Sequence, residues 1–150
     1  MGFGHVYLTA LTVLAVYLVG VSLMTTQVSY PLYSSVPADA FVAYHARYSR
    51  RIQPVIIAPG FPTFLACVAF PFVRPDGVPG WTAALVATGG LVALAATITL
   101  AIPSHLRLQR EGFGVRAYRR LRAADGIRTL GCVLSAVLLV WSVFGIFGPR

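Results

Sequence analysis

The chain has 150 residues, of which 57% are hydrophobic and only 11% charged, with a mean hydropathy of +0.77. Soluble domains carry roughly a quarter charged residues, so this balance excludes an ordinary water-soluble domain and makes lipid part of the solvent. The formal charge of +8 is carried by arginine alone, because the sequence contains no lysine.

A helix needs about 20 apolar residues to cross a hydrocarbon core about 30 Å thick, and four stretches qualify. The first covers residues 6–26. The residues before it, Met1 to His5, contain no Lys or Arg and the apolar run is too long for a signal peptide, so a permanent helix is expected. Tyr30-Pro31 ends this helix, and Pro37 suits the first turn of the next, with Ser35 or a neighbour as its cap. Phe41, His45, Tyr48 and Ile52 then follow at spacings of four, three and four, which places them on one helical face.

The second crossing, residues 52–73, contains Pro59-Gly60-Phe61-Pro62 with Pro54 and Pro71 on either side. Proline removes a helical hydrogen bond and clashes with the preceding turn. A bend or break at 59–62 is therefore expected, beside a cavity rather than lipid, because freed backbone groups need cover. The third crossing, residues 81–102, carries a ridge of Gly89, Ala93 and Thr97 suited to close packing inside the bundle. Pro103 closes it. Residues 115–124 read as a short basic interfacial helix, with Asp125 capping a fourth crossing at residues 127–147. Continuous apolar stretches exclude the alternation of a β-barrel. The expected fold is all-α: one domain over residues 1–150, a bundle of four transmembrane helices with a cytoplasmic extension of helix 2.

Arg47, Arg50 and Arg51 lie between crossings one and two, and seven more arginines lie between crossings three and four or, as Arg128, at the edge of the fourth. Only Arg74 and Arg150 fall on the other side. Positive loops stay inside, so a multi-pass protein of the cell membrane is expected with both termini outside and both basic loops in the cytoplasm. Topology accounts for the charge, and no nucleic-acid partner is expected. Cys67 and Cys132 are expected to differ in depth by roughly 16 Å at about 1.5 Å per residue, and so to be packing residues rather than a disulfide.

No CxxC, HExxH, glycine-rich phosphate loop or serine elbow is present. His45 and His105 fall at the cytoplasmic face, together with Gln27, Tyr30, Tyr44, Tyr48, Arg51, Asp125 and Arg128. Tyrosine and arginine also gather at membrane surfaces for anchoring alone. Two histidines with Glu111 or Asp125 nearby make a weak metal set, and His105 follows Pro103 at a helix end, which suits a haem ligand poorly. No metal or cofactor is expected. Imidazole titrates near neutrality, which leaves acid–base chemistry as the main use for the pair. The expected pocket holds His45, His105, Tyr48 and one of Arg51 or Arg128, with the lipid bilayer and a hydrophobic small molecule as partners.

The segments Gln27 to Leu32, Phe41 to Ile52, Ala101 to His105 and Leu121 to Thr129 resemble the anthrone-oxygenase-like family of small four-helix bacterial membrane proteins. Many members carry Asn-Trp at Asp125-Gly126 and Asn at His105. The resemblance implies cofactor-independent oxygenation of a fused-ring phenolic anthrone, a polyketide-type compound. His45 or His105 would be the base, and Arg51, Arg128 or Tyr48 would stabilise the oxyanion. Two other readings stay open: a non-enzymatic accessory or lipid-binding protein, which the scarcity of intramembrane charge suits, and a small membrane cyclase.

Overall fold

The computed structural model describes residues 2–148, and Arg150 lies outside the described residues. Four helical rods span Phe3–Ser35, Ala38–Val73, Gly80–Glu111 and Val115–Phe147, all long and apolar enough to cross a membrane. Large apolar side chains cover their outer surface, among them Val13, Leu65, Phe72, Leu91, Leu130, Val137 and Phe144. Such a surface belongs in lipid, and the protein is a small multi-pass membrane protein.

The rods are divided as follows. The first holds helix α1 (Phe3–Met24), a wide π turn at Thr25–Ser29 and a 3-10 segment at Pro31–Ser35. The second holds α2 (Ala38–Ile52), a π turn at Gln53–Ile57 and α3 (Ala58–Val73). The third holds α4 (Gly80–Ala96), a π turn at Thr97–Ala101 and α5 (Ile102–Glu111). The fourth is one uninterrupted helix, α6 (Val115–Phe147).

The three π turns share a cause. Each ends two residues before a proline: Pro31, Pro59 and Pro103. A proline ring collides with the carbonyl four residues earlier and offers it no N–H, and widening the turn relieves the collision. The stranded carbonyls find partners elsewhere. Val55, four before Pro59, accepts from the Tyr17 hydroxyl at 2.9 Å, and Thr99, four before Pro103, accepts from Arg120 at 3.3 Å. Arg122 donates to the Thr26 carbonyl, five before Pro31, at 2.7 Å. The expected break at Pro59–Pro62 is therefore corrected: α3 runs through it, and the irregular turn sits just before, at Gln53–Ile57.

Small residues hold the middle of the bundle. A Cβ added to Gly131 would lie 2.6 Å from the Gly89 carbonyl oxygen, so α4 and α6 cross nearly backbone to backbone. Gly90 faces α3 in the same way, with the Phe64 carbonyl 2.9 Å from such a Cβ. The ridge of Gly89, Ala93 and Thr97 is buried inside the bundle, as expected. Cys67 and Cys132 are free and buried, but they line the same small cavity instead of lying far apart in depth. Arg128 is buried within the bundle rather than placed at the membrane edge, so Cys132 lies deeper than its distance from Arg128 along the sequence suggests.

Two further expectations change. The separate interfacial helix over 115–124 is the first part of α6, because Ala117, Leu121 and Ala124 form a buried stripe that continues into the crossing. Asp125 is consequently an interior helical residue rather than a cap, and Pro37 precedes α2 without a capping side chain from Ser35.

Candidate functional site

The rods end differently. At the end bearing the arginine-rich connections, here the basic end, the packing is aromatic: Tyr30, Tyr33, Phe41, Leu108 and Leu121 form one buried cluster. Tyr33 organises it. Its ring meets Phe41, His45 and Tyr48 nearly edge-on, at centroid distances of 5.7, 5.5 and 5.4 Å. The face expected on α2 thus exists, and a tyrosine from the first rod covers it. Tyr33 went unnoticed in the sequence because its 3-10 segment has no α-helical period.

Four side chains from three rods form a continuous polar chain. His45 Nδ1 lies 2.9 Å from Gln109 Oε1, and His45 Nε2 lies 3.0 Å from His105 Nδ1. His105 Nε2 lies 3.2 Å from the Tyr30 hydroxyl. His105 and Gln109 are four residues apart on α5 and so share a face, which lets both reach α2. His45 is 1% exposed and Tyr30 3%.

The chain borders two cavities. One, of about 350 Å³, is lined by both histidines and Gln109 together with Ser49, Gln53 and the apolar side chains of Ile52, Ile57, Ile102 and Leu106. The other, of about 40 Å³, lies among residues in or beside all three π turns, including Tyr30, Ile56 and Thr97, with His105 and Arg128 in its wall. The π turn at Gln53–Ile57 borders the larger cavity, whereas residues 59–62, where the cavity was expected, line neither of the two.

Behind the smaller cavity sits a buried ion pair. Arg128 donates to Asp125 on the same helix, and Asp125 also accepts from the Thr25 and Thr26 hydroxyls at the first π turn. Both charges are almost fully buried. Arg128 Nε and the hydroxyls of Tyr33 and Tyr48 are buried without a hydrogen-bond partner among the described residues. Glu111 pairs with Arg107 at the surface, so neither acid turns toward the histidines. Among the described residues no group of three metal-binding side chains converges.

Of the five site residues expected from sequence, the structure brings His45, His105 and Arg128 around adjoining cavities. Tyr48 stands one step away, packed on Tyr33 and outside both linings. Arg51 is exposed and turned away, because it is one position off the buried face of α2. Gln109 was missed although its spacing from His105 signalled it. Tyr30 appeared only as one tyrosine among several at a membrane surface. No protein family, curated protein or solved structure matches the chain.

Proposed function

We infer that this protein is a membrane enzyme that abstracts a proton from a hydrophobic phenolic small molecule. The observation that carries this reading is the pair of imidazoles joined at 3.0 Å on the wall of a largely apolar cavity. A base oriented by a second polar group is the arrangement that proton abstraction needs. Ile52, Ile57, Ile102 and Leu106 suit a flat apolar ring system, and Arg128, whose charge is balanced by Asp125, offers N–H donors to an oxyanion in the adjoining small cavity.

The resemblance to anthrone-oxygenase-like proteins suggests the reaction. Loss of the activated ring proton leaves an electron-rich anion that passes electrons to dioxygen. The ring CH₂ becomes a carbonyl, and the second oxygen atom leaves as water. Purified protein in lipid nanodiscs, given a hydroxylated anthrone, should consume oxygen and form the quinone absorbance in step. His45→Gln and His105→Gln should each lower the rate by about 100-fold or more. Wild-type protein without turnover, or variants as fast as the wild type, would remove the enzymatic reading.

The same proposal sets the basic end in the cytoplasm and both termini outside, on the arginine distribution. Cysteines introduced as Ser35→Cys and Glu111→Cys should resist impermeant thiol reagents on intact cells. Labelling of either reverses the orientation.

A further inference from the structure

We propose that Tyr30, rather than either histidine, is the group that touches the reacting atom, and that Gln109 sets the direction in which a proton runs along the histidine pair. This rests on the acid–base reading above and adds to it a reacting end and a polarity.

Polarity follows from which atoms can donate. The Val42 carbonyl oxygen only accepts, and Gln109 Nε2 faces it at 3.4 Å. Gln109 Oε1 therefore faces His45 Nδ1, and an amide oxygen requires the hydrogen to be on that nitrogen. A neutral imidazole holds one ring proton, so His45 Nε2 accepts, and the proton between the two rings belongs to His105 Nδ1. His105 Nε2 is then an acceptor, and the Tyr30 hydroxyl donates to it. The other end agrees. Arg128 shares the small cavity with Tyr30 and has only donors, which leaves the tyrosine hydrogen for His105. The reverse order would set the His45 Nδ1 lone pair against the Gln109 oxygen.

Both histidines are thus Nδ1–H tautomers with their Nε2 lone pairs pointing toward the Tyr30 end. The cavity at that end, about 40 Å³, exceeds the roughly 10–15 Å³ one water needs but is too small for a ring. It takes a hydroxyl-sized group: the enol or phenol oxygen of a ligand. As the ligand O–H breaks, its proton bonds to the Tyr30 oxygen while the Tyr30 hydrogen moves to His105 Nε2. The His105 Nδ1 proton then moves to His45 Nε2. One proton has travelled from the small cavity to His45, which lines the large one, and nothing is oxidised or reduced. The ligand oxyanion stays beside Arg128.

Long-range proton–nitrogen NMR of ¹⁵N-labelled protein in nanodiscs at neutral pH reads the tautomers directly. His45 and His105 should both show protonated Nδ1 and bare Nε2. Gln109→Leu should convert His45 to a mixture and lower kcat at least tenfold with KM unchanged, whereas Gln109→Glu, which keeps an acceptor oxygen, should restore Nδ1–H. An Nε2–H tautomer at either histidine overturns the relay, even in a protein that turns over its substrate. A Gln109→Leu spectrum identical to wild type also overturns it. The expected tautomers without wild-type turnover would remove the enzymatic reading while leaving the ordered chain standing. If Gln109→Leu fails to fold, the wild-type spectrum decides alone.

Discussion

The two ends of this bundle obey different rules. Away from the basic end, Leu8, Leu11, Phe70, Val86 and Leu139 interlock in an apolar core without a charged member. Trp81 and Trp141 lie together there, half exposed, as aromatic residues do at a membrane surface. At the basic end the interior holds an aspartate, an arginine, a histidine and several hydroxyls, and three of the four rods widen into π turns. Apolar packing needs no fixed partner for each atom, whereas a buried polar group costs free energy unless it is paired. Among the described residues the buried charges lie at the basic end alone, while buried hydroxyls such as Thr63, Thr82, Ser135 and Ser142 occur elsewhere. The cost of burying charge is therefore concentrated where the histidine chain lies. Wide helical turns are frequent at functional sites for the same reason: they open space that a regular helix would fill.

The ion pair should give the largest effect. Asp125→Ala leaves Arg128 buried and unpaired, and should cost about 3–5 kcal/mol of unfolding free energy in SDS titration of micellar protein. The double variant Asp125→Leu/Arg128→Met should recover most of that loss. If the single variant is as stable as the wild type, the basic end does not depend on its buried charges.

Next comes the helix crossing. Gly131→Leu places a side chain against the Gly89 carbonyl and should cost about 1–3 kcal/mol, read as a lowered thermal midpoint. A neutral result would mean that α4 and α6 do not approach as closely as described. The smallest effect belongs to the proline compensation. Tyr17→Phe strands the Val55 carbonyl and should cost about 0.6 kcal/mol, the average for a hydrogen bond inside a membrane protein.

Much of the fold was legible in the sequence. Hydropathy located four crossings, and the small residues Gly89, Ala93 and Thr97 marked the inner face of α4. Within α2, which is regular, counting by three and four placed Phe41 and His45 correctly in the interior. What counting could not deliver lies beyond the π turns. One extra residue in a turn shifts the following helical face by about 100°, so positions on α5 cannot be projected from α4. The spacing of a proline two residues after each wide turn is visible in the sequence, but its effect depends on which side chain takes over the stranded carbonyl. Tyr17 and Arg120, which do so, come from other rods. The continuity of α6 through Asp125 was hidden because its basic first half resembles a surface helix, although its stripe of Ala117, Leu121 and Ala124 is core.

The division of labour between the ends is tested most directly by measuring thermal midpoint and oxygen uptake on a hydroxylated anthrone side by side for His45→Gln and Leu139→Ala. Leu139 is fully buried in the apolar core, so its truncation should cost about 2–5 kcal/mol while turnover per folded molecule stays at the wild-type level. His45→Gln keeps a polar side chain of similar reach and should lose about 100-fold or more in turnover with a much smaller loss of stability. The opposite pattern, with His45→Gln active and Leu139→Ala slow for its folded fraction, would contradict the account.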